Sequence, residues 1–523
     1  PAGLALQWAK PLAERFGVSV LITDAGAEEL PAERKFPVFS GVVRSVKGYL
    51  GAFEVEWEQA DPIDLENRSR SERFDLVLDL QPQPALDMPQ PPQGYFAPGA
   101  DPLALTGALQ QLTPMVGEFE KPKFFLYKEK ICAHSRSEIV GCTKCIDVCS
   151  ARAITSEIEE NRVKVEPHLC MGCGGCATVC PSGAMTYAYP RVADVGVRIK
   201  TLLQTYRDAG GQEPVLLFHN GGDGRELIAR LAQGGRGLPV NVIPLEVFHI
   251  ASLGLDMMLG CIALGATQFI ILSSGSEPKD YLGALHAQLG YAQAILLGLG
   301  FGGGHFRLIE AQDAAALERA VWNLGTARAL PPATFNLSNE KRTTLDFIFD
   351  HLLKHAPEPK EEVALAAGAP YGRVIVNRQT CTMCMACVGA CPEGALLDAK
   401  ETPQLKFIER NCVQCGLCEK TCPEDAISLA PRLLLGREAQ SAVVLNEAEA
   451  YNCVRCGKPF ATRHIIENMV GRLSSHSMFP TAESLRRLRM CADCRVLDMM
   501  EMENKGGMSI HDYIGGGRKG DTP

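Results

Sequence analysis

The chain has 523 residues, 46% hydrophobic and 22% charged, with 21 cysteines and a formal net charge of −9. That composition can bury several cores, as expected of a multidomain protein, and it offers no basic field for nucleic acid. So many cysteines in a long chain with no apolar signal segment argue against a secreted disulfide framework and point to metal-binding thiolates in a reducing, cytoplasmic interior.

Residues 1–80 read as a small α/β or β-rich domain. LQWAKPLAERFG predicts a helix, SVLIT a strand, and FPVFSGVVRSVKGYLGAFEVEW a strand pair bent around Gly48 and Gly51. Residues 81–120 are expected to be a linker, because the prolines crowded into 81–103 favour an extended polyproline spacer.

Two segments, 121–190 and 371–432, hold four copies of one pattern: CTKCIDVCSARAI, CMGCGGCATVCPSGAM, CTMCMACVGACPEGAL and CVQCGLCEKTCPEDAI. Three copies space their cysteines as C-x2-C-x2-C-x3-C. This spacing wraps three thiolates around a 4Fe-4S cubane and sends the fourth to a neighbouring cluster. The copies come in two pairs, so each pair reads as a two-cluster bacterial-type ferredoxin module, and four 4Fe-4S clusters are expected.

By that crossing rule Cys381, Cys384 and Cys387 join Cys422, while Cys412, Cys415 and Cys418 join Cys391. In the first module Cys170, Cys173 and Cys176 take Cys149, and Cys142 with Cys145 takes Cys180. One ligand is then missing. The nearest cysteine is Cys132, separated from Cys142 by nine residues where two are usual, which implies a seven-residue insertion in the loop. Cys132 is assigned as a ligand, and the alternative is a buried free thiol beside a cluster with one vacant iron. Pro181, Pro392 and Pro423 follow the last cysteine of their motifs and Ser150 replaces the proline in the first; both residue types suit the start of a short helix.

Residues 191–335 alternate strand and helix. Strands are predicted at PVLLFH, VNVIPLE, TQFIILS and FRLIEA, with helices at GRELIARLAQ, HIASLGLDMMLGCIALG and KDYLGALHAQLGYAQAILLG. Continuous apolar strands of this kind form a doubly wound parallel sheet covered on both faces. The apolar run Ile250 to Ser274 is interrupted by Asp256 and Gln268, so it reads as a buried helix and strand, and no membrane span is expected.

Ligands in such sheets sit beyond the strand C-terminal ends, here near His219 to Gly224, Glu246 and Ser273 to Ser276. No dinucleotide fingerprint is present, and flavin is not expected. A flavin- or nucleotide-binding oxidoreductase using Asn220, Gly222 and Ser274 is the alternative. Cys261 reads as a core residue.

Residues 336–370 hold a helix and a linker. SNEKRTTLDFIFDHLLKHA is amphipathic, with Ser338 or Asn339 as its cap and Leu345, Ile348, Phe349, Leu352 and Leu353 on one face, and PEPKEEVALAAGAP is the charged linker after it. Residues 433–500 are expected to form a zinc-ribbon-like domain. Its two C-x2-C knuckles, Cys453 with Cys456 and Cys491 with Cys494, suit one closed tetrahedral zinc, and iron in a rubredoxin-like arrangement is the alternative. His464 and His476 read as surface or packing residues. The glycine-rich tail, 501–523, is expected to be mobile.

KGYLGAFEVEW resembles the stretch that precedes a ferredoxin insertion in the A subunit of heterodisulfide reductases. PVLLFHN, VNVIPLEVFHI and GCIALGATQFIILSSGSEP resemble the delta-subunit domain of methyl-viologen-reducing hydrogenase, a domain often fused to that A subunit. The delta domain carries cysteines for a 2Fe-2S centre on its loops, where this chain has His219, Glu246 to His249 and Ser273 to Ser276, so that centre is not expected. No cysteine motif follows AFEVEW, which implies a lost site or an absent segment near residues 61–72, and the A subunit's flavin fingerprint is missing.

Similar polyferredoxins accompany formate dehydrogenases. The resemblance therefore implies an electron-transfer subunit more than a catalyst, with no catalytic residue, passing single electrons between a dehydrogenase and another redox protein. A redox-sensing docking scaffold is the further alternative.

Overall fold

The structure is a computed structural model, and it describes residues 2–23, 35–59, 69–399 and 402–504. Most of the break expected near residues 61–72, the tail from residue 505 and the His464 side chain lie outside the described residues. Contacts divide the chain into two compact units. One comprises residues 1–129, 143–296 and 301–355, and the other residues 130–142, 297–300 and 356–523.

The first unit begins with the helix Ala2–Leu12 and a four-stranded sheet. Val20–Ile22 runs parallel to Val38–Lys47, which pairs antiparallel with Phe53–Gln59, and that strand pairs in turn with Ser69–Phe74. The hairpin turn needs Gly48 at φ +101°, where a Cβ would lie 2.1 Å from the Ala52 carbonyl oxygen. Alternation along Phe53–Gln59 buries Phe53, Val55 and Trp57 on one face.

Tyr95, from the proline-dense stretch, completes this core and donates a 2.6 Å hydrogen bond to Asp79. The stretch is thus not a plain spacer. Val77–Leu78 pairs with Tyr95–Phe96, and Asp101 caps the helix Pro102–Leu112, with Pro102 in the first turn, where a missing N–H costs nothing. Prolines set the extended path, and one buried aromatic ties it down.

A parallel sheet forms the centre of this unit. Val242–Val247, Val215–Asn220, Gln268–Ser273 and Phe306–Glu310 lie in that order, every pair parallel, as the four apolar runs predict. The order reverses after the first strand in sequence, the signature of a doubly wound sheet. Ile250 to Ser274 resolves into a 3-10 turn, the buried helix Leu255–Ala263 and a buried strand. Among the described residues no helix is long and apolar enough to cross a membrane.

The helix Lys341–His355 packs its Leu345, Ile348, Phe349 and Leu352 face against Leu255–Ala263. Asn339 was an expected cap for this helix. Its side chain instead accepts 3.2 Å from the Ala193 N–H, in the first turn of Val192–Asp208, because a neighbouring helix leaves its own first donors unpaired there.

The second unit holds two antiparallel three-stranded sheets. Ile427–Leu434 lies between Glu362–Ala364 and Gly372–Val376, and Gln404–Phe407 lies between Leu396–Asp398 and Val443–Glu447. Part of the expected charged linker is therefore an edge strand, held because Val363 is buried against this sheet's unit. Within the four-cysteine region, Ala450–Asn452 and Pro459–Thr462 form a hairpin followed by the helices Arg463–Leu473, Ala482–Arg487 and Ala492–Asn504.

Candidate metal centres

The regular cysteine loops share one backbone device. Gly172 and Gly174, Met383 and Met385, and Gln414 and Gly416 all sit at positive φ, alternating with right-handed or extended neighbours between successive cysteines. Such alternation turns backbone N–H groups inward to form a concavity that suits an anionic metal–sulfide cluster. Three of these residues are not glycine, and each carries about 1–2 kcal/mol of left-handed strain.

The first motif is built differently. Ser137 at φ +48° and Glu138 at φ +63° form a tight turn between Ser135–Arg136 and Ile139–Val140, and the ladder continues through Gly141 N–H to His134 O (2.7 Å) and Cys142 N–H to Ala133 O (2.9 Å). The seven-residue insertion thus loops out as a β-hairpin. Its open end returns Cys132 to the neighbourhood of Cys142, and both belong to the second unit. Cys132 is buried.

The second module contains two hollows. One is lined by Cys381, Cys384, Cys387 and Cys422 with Leu405 and Ile427. The other is lined by Cys391, Cys412, Cys415 and Cys418 with Leu396, Phe407 and Leu417. Each combines three cysteines of one motif with the last cysteine of the other, the grouping that the spacing predicts. The donor set and apolar wall suit a sulfide cluster.

Burial pushes the Cys387 and Cys415 thiols up to about 12, with charge from neighbouring cysteines adding to it. Thiolates this costly to bare become favourable once cationic iron binds them.

In the first unit, the Cys176 thiol lies well above the ordinary range, chiefly through burial and then through charge on Cys173, Cys145, Cys170 and Cys149. The last cysteine of each motif also accepts a backbone N–H: Ala153 to Cys149 (3.3 Å), Met185 to Cys180 (3.3 Å), Ala395 to Cys391 (3.2 Å) and Ala426 to Cys422 (3.3 Å). Hydrogen bonds of this kind hold negative charge on sulfur and set a cluster's potential.

Three further side chains reach the first module from elsewhere in its unit, and no local sequence signal marks them. The Tyr281 hydroxyl hydrogen-bonds Cys173. His249 lies edge-on to Tyr281 at 5.4 Å, and burial brings its pKa down to about 4. Lys341 Nζ donates to the carbonyls of Ala177 (2.9 Å), Thr178 (2.8 Å) and Cys180 (3.0 Å), placing a cation at the end of the short helix Gly175–Val179. Thr178 Oγ1 donates 2.6 Å to Ala251 O, joining that helix to the parallel-sheet domain.

Cys453, Cys456, Cys491 and Cys494 converge, with sulfurs all within 4.8 Å of one another. The first pair sits at a hairpin turn relieved by Gly457 at φ +73°. The second opens the helix Ala492–Asn504, so the two knuckles are not both hairpins as a ribbon requires. The reason is legible in retrospect, since CADCRVLDMMEMEN has helical periodicity and lacks the turn glycine. Burial opposes the Cys453 thiolate, but N–H groups of Cys456, Cys491 and Arg455 outweigh it and bring the pKa to about 6. His476 is exposed.

Beyond the strand ends of the parallel sheet the polar side chains bond one another. Ser274 and Ser276 donate to Asp223 (3.0 and 3.1 Å), Ser273 donates to Glu277 (2.6 Å), and Asn220 Oδ1 receives the Gly224 N–H (2.8 Å). Gly222 precedes the helix Asp223–Gly234. Cys261 is fully buried, and burial raises its thiol out of the reactive range.

The family described as the 4Fe-4S dicluster domain matches residues 140–184 and 380–426. These segments contain every cysteine of the four repeated motifs, and Cys132 precedes the first match. The chain therefore carries two 4Fe-4S dicluster domains, which support a ferredoxin-type protein with an iron–sulfur electron-transfer role.

Similarity to curated proteins is local. The chain is 42% identical over 50 residues to the indolepyruvate oxidoreductase subunit IorA of Pyrococcus horikoshii, covering 10% of this chain and 8% of that protein, and the same values hold for IorA of Pyrococcus abyssi. With IorA of Thermococcus kodakarensis the identity is 48% over 44 residues, 8% of this chain and 7% of the relative. The chain thus spans less than a tenth of the length of these relatives.

Proposed function

We propose that the chain carries single electrons through four 4Fe-4S clusters between a dehydrogenase and a second redox protein. The observation that carries this reading is the pair of hollows in the second module, each uniting three cysteines of one motif with the last cysteine of its partner. The ligand sets are Cys381, Cys384, Cys387 and Cys422; Cys412, Cys415, Cys418 and Cys391; Cys170, Cys173, Cys176 and Cys149; and Cys132, Cys142, Cys145 and Cys180. When bound, each cluster supplies one-electron exchange at iron. The chain's own part is to fix the sulfurs, exclude water and offer N–H donors to them.

An oxidoreductase is the proposed partner class, supported by the matched indolepyruvate oxidoreductase subunits. Formate dehydrogenase remains one specific candidate, on resemblance alone. The heterodisulfide-reductase and delta-domain resemblances support a place in a larger oxidoreductase assembly, and the cytoplasm as its location. For the four-cysteine site we propose structural zinc, supported by four sulfurs within 4.8 Å of one another.

Anaerobic purification with iron and sulfide counting, followed by EPR of the reduced protein, tests the main reading. About sixteen irons with reversible reduction are expected, and fewer than about eight would end it. Zinc is tested on the same preparation by elemental analysis: about one zinc per chain is expected, lost in Cys456→Ser, whereas a red protein with a rubredoxin-type spectrum at this site would replace zinc with iron.

A further inference from the structure

We propose that the β-hairpin of residues 133–141 is an electron bridge between modules, through which the cluster held in part by Cys132 and Cys142 exchanges electrons with the cluster in the Cys391, Cys412, Cys415 and Cys418 hollow. The inference rests on the four-cluster reading above. It gives the insertion a purpose that ligand spacing alone does not.

The hairpin belongs to the same compact unit as the second module. Its contact there is close. At Gly141 a Cβ would stand 2.5 Å from Leu417 Cγ and 2.8 Å from Ala133 O, so nothing larger than glycine fits between the hairpin and Leu417. Leu417 is fully buried and lines the wall of the hollow, so this one side chain lies between the hollow and the residue before Cys142. Lys420, on the helix Leu417–Thr421 that leads out of the cysteine loop, donates a 2.7 Å hydrogen bond to the Val140 carbonyl and pins the same strand of the hairpin.

The step is simple in its balance. One electron leaves a reduced 4Fe-4S cluster in the 1+ state and enters an oxidised cluster in the 2+ state. No bond forms, and no proton moves. The regular motifs need only two residues between their first and second cysteines. The first motif uses the longer path to lay its strand against the neighbouring module.

The test compares full-length wild type, Gly141→Val and Lys420→Ala, each with its iron counted. Fully reduced samples are read by EPR at two microwave frequencies, and electron equilibration is followed after a flash from a photoreductant. Clusters coupled only within a module keep their splitting in both variants, so any part that a variant removes belongs to the bridge. At unchanged iron content, the expected result is a loss of at least half of the field-independent splitting, with at least tenfold slower equilibration. Lys420→Ala adds no side chain and gives the reading where Gly141→Val loses iron. Wild-type splitting and rate in iron-replete variants would overturn the bridge. Fewer than about eight irons in wild type would instead remove the four-cluster reading, and the iron count alone tells the two failures apart.

Discussion

Tyr281, on the helix Lys279–Gly298 of the parallel-sheet domain, hydrogen-bonds the sulfur of Cys173 in the cysteine loop of the first module. The same hydroxyl donates a 2.9 Å hydrogen bond to Gln90 Oε1, so its single proton is divided between that oxygen and the sulfur. A donor to a cluster sulfur favours the reduced, more negative state. Tyr281→Phe should lower the potential of that cluster by about 40 mV, the one-electron equivalent of about 1 kcal/mol, with iron content unchanged. A redox titration followed by EPR checks it.

Arg432 and Glu409 form a two-pronged ion pair at 2.8 and 2.7 Å beside the second module, with side chains only 17% and 9% exposed. Glu409 stands three residues before Cys412. Arg432→Met would leave a buried carboxylate without its cation, and a loss of about 3–5 kcal/mol is expected. Denaturant unfolding of the cluster-loaded protein measures it, and the bleaching of cluster absorbance should move to lower denaturant in step.

Cys132→Ala separates ligand from bystander. Loss of about four irons from about sixteen is the expected result, because the hairpin returns this thiol towards Cys142. Unchanged iron would make Cys132 a core thiol and leave its cluster with three protein sulfurs.

The His249 ring accepts the Ala251 N–H at 3.1 Å, and burial brings its pKa from 6.5 to about 4. Because the folded value is depressed, the unfolded chain takes up a proton first as the pH falls. The stabilisation, about 3 kcal/mol in all, is therefore present above pH 6.5 and lost as the pH falls towards 4. About 2 kcal/mol of it should be gone by pH 5. His249→Gln should flatten that part of the stability profile, measured by denaturant midpoints at pH 7 and pH 5.

The grouping of cysteines in the second module was legible in sequence because the signal is local. Spacing along ten residues fixes which sulfurs face one cavity, and both hollows of the second module group the cysteines that the spacing groups. The parallel sheet was legible for the same reason, since each strand is a continuous apolar run. What sequence could not show is whatever crosses between segments. Lys341 begins an ordinary amphipathic helix, yet its ammonium serves carbonyls more than 160 residues earlier in the chain. Val363 lay in a charged stretch whose composition masked one buried strand residue. At Cys132 the irregular spacing was visible, but the Ser137–Glu138 turn that accounts for it lacks the Asn-Gly or Asp-Gly signature by which such hairpins are recognised.

The hairpin's tether also dictates an order of assembly. Lys420 lies 280 residues beyond Val140, so the ribosome releases the early strand long before its anchor exists. Until then the strand before Cys142 has its own hairpin ladder but lacks that tether. Cofactor insertion into that part of the chain must therefore wait for the far end to be made, and premature aeration during synthesis should damage this site first.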